Sequence, residues 1–226
     1  MNKLHIEIRV RLQVFSDPLL RTFRFMKNIN KAYDRKFFDF SRNKIQIKGL
    51  PRPWFNYSAI QFLDTIEFQN KEIFEWGAGN STRYFKARGA IIESVEHNKN
   101  WASGLSKETN TQVFFMDTQE NYTEQLVKLN KHFDVVIIDG ECREECLEVF
   151  IRYIQKFSPS LLIFDNSDWY PKSIAKLLSN SNWIPVFING FAPLVTYETQ
   201  TLFLIAKESR LEFISGIRPL GAIIAD

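Results

Sequence analysis

Residues 72–82 read EIFEWGAGNST, and this stretch decides the fold. Apolar side chains in Glu72–Trp76 predict a short strand, which runs directly into a turn with two glycines, Gly77 and Gly79. A helix is predicted to open near Ser81, which completes a strand–turn–helix unit. Because glycine has no side chain, a ligand can approach the backbone of such a turn closely. The turn is therefore the first candidate binding site.

On both sides of this unit, short apolar strands alternate with helices. Two runs, Val135–Ile138 and Leu161–Phe164, are apolar throughout, which is typical of central parallel strands covered on both faces. Other strands are predicted at Ala90–Glu96, Gln112–Met116, Trp183–Ile188 and Thr201–Ala206. Helices are predicted at Ala59–Glu67, Trp101–Glu108, Tyr122–Leu129, Glu144–Lys156 and Lys172–Leu178. This order predicts an α/β fold with a doubly wound, mostly parallel seven-stranded sheet, whose last two strands are antiparallel to each other.

The N-terminal part of the chain differs from the rest in pattern and charge. Apolar and polar side chains alternate from Leu4 to Val14, which predicts a strand, and a helix is predicted from Pro18 to Phe40. Residues 1–48 carry 12 Lys and Arg against 4 Asp and Glu, although the net charge of the whole chain is +3. The stretch Gly49–Pro53 breaks the helix. We therefore expect a basic strand-plus-helix extension over residues 1–50 and a main domain over residues 51–226.

Composition excludes several classes of protein. A chain of 226 residues, 45% of them apolar, can bury a sufficient core without disulfides or a structural metal. Its two cysteines favour a reducing compartment. The sequence lacks an apolar run of roughly 18 residues and an apolar N-terminal segment, so we expect neither a membrane span nor a signal peptide. These features predict a cytoplasmic protein, and the N-terminal strand could pair with a second subunit in a homodimer.

A second carboxylate stands at the end of the next predicted strand. Glu96 follows Glu75 by 21 residues, an offset typical of an acid that binds a ribose diol. The two strand ends together indicate a ligand that contains adenosine. Glu75 would repel the pyrophosphate of a dinucleotide, and Thr82 stands where the third glycine of a dinucleotide motif would be. The sequence therefore favours a ligand that is cationic at this turn, such as S-adenosylmethionine.

These residues resemble the class I S-adenosylmethionine-dependent methyltransferases. The resemblance covers roughly residues 54–207 and depends on two motifs, EWGAG at residues 75–79 and SVEH at residues 94–97. It implies that the first acid and the glycines hold the methionine part of the donor, that Glu96 holds its ribose, and that Asp117 contacts adenine. The donor site expected in this way consists of Glu75, Gly77, Gly79, Ser81, Thr82, Glu96, His97, Asp117 and Asp139.

Oxygen-bearing side chains also follow the fourth and fifth predicted strands. Asp139, Asp165 and Asn166 offer three hard oxygen ligands, a set that suits Mg²⁺. They look like the ligands of the metal-dependent catechol-type O-methyltransferases, and this resemblance implies that Asp139 and Asp165 help to activate an acceptor hydroxyl. The chain departs from that subfamily at Cys142, where a lysine is expected. In the alternative without metal, Asp139 holds the donor and the Asp165–Asn166 pair caps the next helix.

The leading hypothesis is a small-molecule methyltransferase, acting on an oxygen atom with S-adenosylmethionine and with Mg²⁺ as a candidate second cofactor. A nicotinamide-dependent oxidoreductase on the same sheet is one alternative. Another is an RNA-binding or RNA-methylating protein that uses the basic extension. The residues Ile138–Glu141 lack the Asn-Pro-Pro-Tyr type of motif of base N-methyltransferases, which disfavours nucleic acid as a partner. The segment Asn189–Leu194 is expected to form a lid over the acceptor.

Overall fold

The computed structural model of the chain describes residues 18–20, 22–23, 38–39, 44–47, 50–179, 183–193, 195 and 197–215. The chain divides into two compact units, residues 1–50 together with 216–226, and residues 51–215. The domain division expected from the sequence, 1–50 and 51–226, stays a prediction. Among the described residues, no helix is long and apolar enough to cross a membrane.

The first unit contains part of the predicted helix and a small sheet, whose last strand ends at Pro51, the first residue of the second unit. Residues 18–20 and 22–23 are helical. The sheet consists of Phe38–Asp39 (β1), Lys44–Ile47 (β2) and Leu50–Pro51 (β3). The prediction of a helix as far as Phe40 is wrong at its end, because Phe38 pairs with Ile45 in an antiparallel ladder. Aromatic residues suit a strand as well as a helix, so pairing decides here. The predicted strand Leu4–Val14 lies outside the described residues.

The second unit is built on a seven-stranded sheet with helices packed against it. Its strands are Glu72–Trp76 (β4), Ile91–Glu96 (β5), Gln112–Phe115 (β6), Val135–Ile138 (β7), Leu161–Asp165 (β8), Trp183–Phe191 (β9) and Glu198–Ala206 (β10). Its helices are Tyr57–Asp64 (α1), Asn80–Ala87 (α2), Lys99–Thr109 (α3), Gln119–Leu129 (α4), Arg143–Phe157 (α5) and Pro171–Leu178 (α6), with a 3₁₀ turn at Ser167–Trp169.

The strand order is β6-β5-β4-β7-β8-β10-β9. Neighbouring strands from β6 to β8 are parallel, whereas β10 is antiparallel to both β8 and β9. The prediction of a doubly wound, mostly parallel seven-stranded sheet is therefore confirmed. The order of the strands reverses between β4 and β7, and in such sheets a ligand binds in the crevice at the carboxyl ends of the strands at this point.

Alternate residues of the central strands supply two cores, one on each face of the sheet. Val136 and Ile138 of β7 pack on one face with Phe150 of α5, whereas Val135 and Ile137 pack on the other face with Ile60 of α1. This alternation is the ordinary consequence of the two-residue repeat of a strand. It leaves the polar residues that follow each strand at the carboxyl edge of the sheet.

The last two strands are longer than predicted. Residues as far out as Asn189 and Gln200 are partners in the β9–β10 ladder, and the Gln200 side chain also donates to the Asn189 side chain over 3.0 Å. The expectation of a lid over Asn189–Leu194 is therefore wrong for its first half, because β9 continues to Phe191. Pairing with β10 holds these polar and glycine residues in a strand, although they lack a strand pattern of their own.

Candidate active site

The tips of β4 and β7 meet through two glycines. Gly77 has a φ of +96°, a backbone conformation that favours glycine, and a Cβ placed on it would lie 2.5 Å from the nitrogen of Gly140. The N–H groups of Gly77 and Ala78 both donate to the carbonyl oxygen of Val95, over 3.0 and 3.2 Å. The turn is thus anchored to β5 and pressed against β7.

Gly79 stands in a different environment. Its φ of −172° is extended backbone that any residue adopts, and a Cβ placed on it meets none of the described atoms within 4 Å. Its N–H donates to the hydroxyl of Thr82 over 2.8 Å. The glycine at this position therefore leaves open space in front of the turn, which a ligand could fill.

Glu75 lies beneath this turn with a fully buried side chain. Its Oε2 accepts hydrogen bonds from the hydroxyls of Thr82, over 2.5 Å, and Ser94, over 2.8 Å. Its Oε1 is buried and has no hydrogen-bond partner within the part of the chain that is described. Burial raises the pKa of Glu75 to about 7, although the hydroxyls of Ser81, Thr82 and Ser94 oppose this rise. A buried oxygen without a partner is costly, and a cationic ligand would satisfy it.

Trp101 braces the same turn from α3. Its indole N–H donates to the carbonyl oxygen of Ala78 over 2.7 Å, and the guanidinium of Arg83 lies 5.1 Å from the centre of its ring. The structure shows that it supports the backbone of the turn.

The ends of β5 and β6 bring further carboxylates to the edge. Glu96 is 5% exposed, and its Oε1 accepts from the N–H of Asn98 over 2.8 Å and lies 3.1 Å from Nδ1 of His97. Burial raises the pKa of Glu96. Asp117 is exposed just beyond β6. The predicted donor residues are thus brought to one edge of the sheet, with His97 paired to the ribose candidate.

Arg143 lies between the carboxyl ends of β7 and β8. Its Nε donates to the carbonyl oxygen of Gly140 over 2.9 Å. Its Nη1 donates to the carbonyl oxygen of Asp165 and to Oδ1 of Asn166, both over 2.7 Å. Its Nη2 donates to the carbonyl oxygen and Oδ1 of Asp139, over 3.0 and 3.1 Å. Because a guanidinium has five N–H donors, every donor of this side chain is used within the protein.

Asp165 and Asp139 flank this guanidinium. Oδ1 of Asp165 accepts from the hydroxyl of Thr201 over 2.6 Å, and Oδ2 lies 4.0 Å from Arg143. Burial raises the pKa of both carboxyls; the charge of Asp139 adds to the rise for Asp165, whereas the positive charge of Arg143 opposes it for both. A proton therefore stays on this pair at higher pH than on exposed carboxyls.

The predicted metal ligands do not fit a divalent ion in this arrangement. Oδ1 of Asp139 and Oδ1 of Asn166 already accept hydrogen bonds from Arg143, and Oδ1 of Asp165 accepts one from Thr201. Over the described ranges, no group of three or more His, Cys, Asp or Glu residues could hold a metal ion. The guanidinium of Arg143 therefore lies among the residues that the sequence predicted to bind Mg²⁺.

Several residues of the site were missed in the sequence because they depend on strand register. Ser94 is the partner of Glu75 in the parallel β4–β5 ladder, and Thr201 is the partner of Asp165 in the β8–β10 ladder. The buried hydroxyl of Tyr122 fills the space beside Gly140 and has no hydrogen-bond partner in the described part of the chain. Correct alignment of neighbouring strands would have revealed Ser94 and Thr201, whereas the position of Tyr122 depends on packing.

Comparison with known proteins gives this fold its class. No protein-family model and no curated protein matches the sequence. An assigned O-methyltransferase from Klebsiella pneumoniae is 15% identical and aligns with 88% of this chain and 95% of its own, with a TM-score of 0.50. A methyltransferase from Pyrococcus furiosus is 14% identical and aligns with 82% of this chain and 98% of its own, also with a TM-score of 0.50. An rRNA methylase from Streptococcus thermophilus is 10% identical over 62% of this chain and 90% of its own, with a TM-score of 0.47.

The chain therefore has the Rossmann-like fold of the class I methyltransferases, and the resemblance seen in the sequence is confirmed at the level of the fold. At identities of 15% and below, the likeness shows the fold and leaves the reaction to be argued from the site.

Proposed function

We propose that this chain is an S-adenosylmethionine-dependent methyltransferase that acts on a hydroxyl oxygen of a small molecule. The observation that carries the proposal is the buried Oε1 of Glu75, which lacks a hydrogen-bond partner among the described residues, beneath the open space in front of Gly79. An anionic oxygen in this place suits the ammonium group of the donor, and it disfavours the pyrophosphate of a nicotinamide dinucleotide.

The rest of the edge suits the same donor. Glu96 is positioned at the end of β5 to accept hydrogen bonds from a ribose diol, while the N–H of Asn98 and the ring of His97 hold its carboxylate in place. When bound, the donor would supply a methyl group on a sulfonium sulfur. The task of the protein is then to place an acceptor oxygen in line with that methyl group.

Asp139 and Asp165 are the residues that we assign to the acceptor proton. The Asp139 side chain is 15% exposed and the Asp165 side chain is 5% exposed, so Asp139 is the one that an acceptor can reach. The raised pKa of this carboxyl makes it a stronger base than an exposed aspartate. In this proposal, Asp139 accepts the hydroxyl proton as the oxygen takes the methyl group, while Arg143 and Asp165 hold Asp139 in position.

The charge at the carboxyl edge supports a small acceptor over RNA. The residues that end or follow the strands here include Glu96, Asp117, Asp139, Glu141, Asp165 and Asp168. Exposed Lys99 and Lys172 lie at the starts of the neighbouring helices. Because the acidic residues outnumber these lysines, the net charge of the edge is negative. Because nucleic-acid binding depends on neutralising phosphates, this edge would repel an RNA acceptor. A neutral or cationic small molecule is the better fit.

Calorimetric titration with S-adenosylhomocysteine tests the donor assignment. We expect the full chain to bind this ligand and Glu96→Ala to bind it at least about tenfold more weakly, since a lost hydrogen bond to a charged group costs about 1.5–3 kcal/mol. Glu93→Ala is the matched control, because Glu93 lies on the same strand but pairs with Lys131. Binding of NAD⁺ in place of S-adenosylhomocysteine would overturn the proposal.

Transfer of labelled methyl groups tests the acceptor assignment. Purified chain and labelled S-adenosylmethionine would be incubated with phenols, sugar alcohols, primary amines or RNA. We expect label on a hydroxyl-bearing small molecule and its loss in Asp139→Asn. Label in RNA or on an amine would show that the donor assignment is right and the acceptor assignment is wrong.

A further inference from the structure

Arg143 stands at the point where the oxygen atoms of the acceptor side converge. We propose that its guanidinium takes the place of a divalent metal there, so that the site is independent of metal and Arg143 acts as a positioning residue. The kinetic part of this inference rests on the proposed function, whereas its binding part does not.

The contacts of Arg143 resemble those of a bound cation. The five N–H groups of its planar guanidinium donate to oxygen atoms at the ends of two neighbouring strands, β7 and β8, over 2.7 to 3.1 Å. The side chain is 14% exposed, so these bonds form largely away from water. A guanidinium carries a positive charge spread over this planar group, so the side chain supplies a cation at this point.

A metal ion and this guanidinium exclude each other. Mg²⁺ and Ca²⁺ bind oxygen ligands at about 2.0–2.6 Å, and an ion held by all three predicted ligands would need the side-chain oxygen of Asn166, which now accepts from Arg143. An ion at that distance would also be next to a positive charge. Admitting it would require Arg143 to swing out and all of its hydrogen bonds to break.

The local backbone directs the side chain into this position. Arg143 is the first residue of α5, and Cys142 before it has a φ of +51°, which turns the chain sharply between β7 and the helix. The bond from Nε to the carbonyl oxygen of Gly140 then folds the side chain back over this turn. The guanidinium is thereby held between Asp139 and Asp165 by the same turn that carries Asp139.

Metal titration of the full chain tests the binding part without any methyl transfer. Chain stripped with EDTA would be titrated with Mn²⁺ and free Mn²⁺ followed by electron paramagnetic resonance. We expect the wild type to show no Mn²⁺ binding that Asp165→Asn removes, and Arg143→Ala to gain such a site because the oxygen atoms are released. Arg152→Ala, an exposed arginine on the same helix that pairs with Glu124, is the matched control and should behave as the wild type.

In the metal titration, two results would overturn the inference: Mn²⁺ binding by the wild type that Asp165→Asn abolishes, or a folded Arg143→Ala that gains no site. Circular dichroism reports whether Arg143→Ala folds. If it does not fold, the comparison of wild type with Asp165→Asn still decides, and Arg143→Lys serves as the second variant. Arg143→Lys keeps the charge and should also bind no Mn²⁺.

Kinetics separate a positioning role from a merely structural one. We expect methyl transfer by the wild type to be unaffected by EDTA. In Arg143→Lys we expect kcat to fall by about 100-fold, the loss typical of a misplacement of about 1 Å, with unchanged affinity for S-adenosylhomocysteine. EDTA-sensitive transfer would overturn this inference, whereas failure to bind S-adenosylhomocysteine would overturn the proposed function instead.

Discussion

Gly77 and Gly140 lie backbone against backbone where the strand order reverses. A Cβ on Gly77 would stand 2.5 Å from the nitrogen of Gly140, and one on Gly140 would stand 2.6 Å from the Cα of Gly77. The hydroxyl of Tyr122 fills the remaining space beside Gly140. The two strand tips therefore leave no room for a side chain between them, and this contact positions Glu75 of β4 and Asp139 beyond β7 on the same crevice.

Substitution of these glycines and of Gly79 should separate fold from ligand binding. We expect Gly77→Ala and Gly140→Ala to lower the free energy of unfolding by about 1–3 kcal/mol or more, because each added methyl overlaps main-chain atoms. Gly79→Ala should unfold like the wild type but bind S-adenosylhomocysteine at least about tenfold more weakly, because its methyl group enters the open space. Urea unfolding measures the free energy of unfolding, and calorimetry measures the affinity for S-adenosylhomocysteine. Equal losses of stability at all three positions would contradict the assignment of Gly77 and Gly140 to the fold and of Gly79 to ligand binding.

The sequence predicts the centre of the sheet better than its edge. β7 and β8 are buried along their whole length, so continuous apolar runs mark them. The outer end of β9 is held by its ladder with β10, and its own residues, such as Asn189 and Gly190, do not favour a strand. Strand pairing also decides the conformation of Phe38, which pairs with Ile45 although the spacing of its neighbours predicts a helix.

The positions of the carboxylates at the ends of β4 and β5 were more predictable than the contacts beyond β7 and β8, for a related reason. Glu75 and Glu96 end their own strands, so their place at the carboxyl edge follows from the strand positions. The role of Arg143 depends on a side chain that folds back onto the loop before its own helix. Residue spacing contains no information about such a rotamer, and the same three oxygen side chains read equally well as metal ligands.

Glu75 should make the stability of the protein fall as pH rises. Its pKa is raised in the folded chain from its usual 4.5 to about 7, so folding opposes its ionisation, and the stabilisation present at low pH is lost between these two values. At about 1.4 kcal/mol per pH unit, this loss amounts to about 3 kcal/mol. Glutamine does not ionise, so Glu75→Gln does not undergo this loss of stability. The stability of the variant relative to the wild type should therefore improve from about pH 5 to pH 8.

Urea unfolding at both pH values measures the difference. Glu72→Gln, at the partly buried start of the same strand, is the control for removing a carboxylate from this strand. A difference between Glu75→Gln and wild type that does not change with pH would show that Glu75 is ionised normally in the folded chain.

Trp101 should matter for donor binding through the turn it braces. Trp101→Phe keeps an aromatic ring but removes the hydrogen bond to the carbonyl oxygen of Ala78, a net loss of about 0.5–1.5 kcal/mol. We expect affinity for S-adenosylhomocysteine to fall about threefold to tenfold, measured by calorimetry. Trp169→Phe, an exposed residue beyond β8, serves as the comparison and should leave this affinity unchanged. Equal affinities in Trp101→Phe and wild type would mean that the turn holds its shape without this bond.

Thr201 should set the pH dependence of methyl transfer through Asp165. Its hydroxyl donates to Oδ1 of Asp165 over 2.6 Å and accepts from the Asn56 amide over 3.1 Å. The bond to Asp165 lowers the pKa of that carboxyl, so Thr201→Val should raise it. A neutral Asp165 no longer opposes the ionisation of neighbouring Asp139, the proposed base, so the acidic limb of kcat/KM should move to lower pH. The loss of both bonds should also lower the free energy of unfolding by about 1–3 kcal/mol.

The measurement is the pH profile of kcat/KM, with urea unfolding and S-adenosylhomocysteine affinity determined beside it. Thr199→Val, two residues earlier on β10, is the matched control, because it leaves the hydrogen bond from the Thr201 hydroxyl to Asp165 in place. Loss of stability in Thr201→Val with an unmoved acidic limb would assign Thr201 to the fold alone, because Asp165 would then have no part in the proton balance of the acceptor site. A shifted limb with unchanged S-adenosylhomocysteine affinity would place Asp165 next to the acceptor proton rather than at the donor.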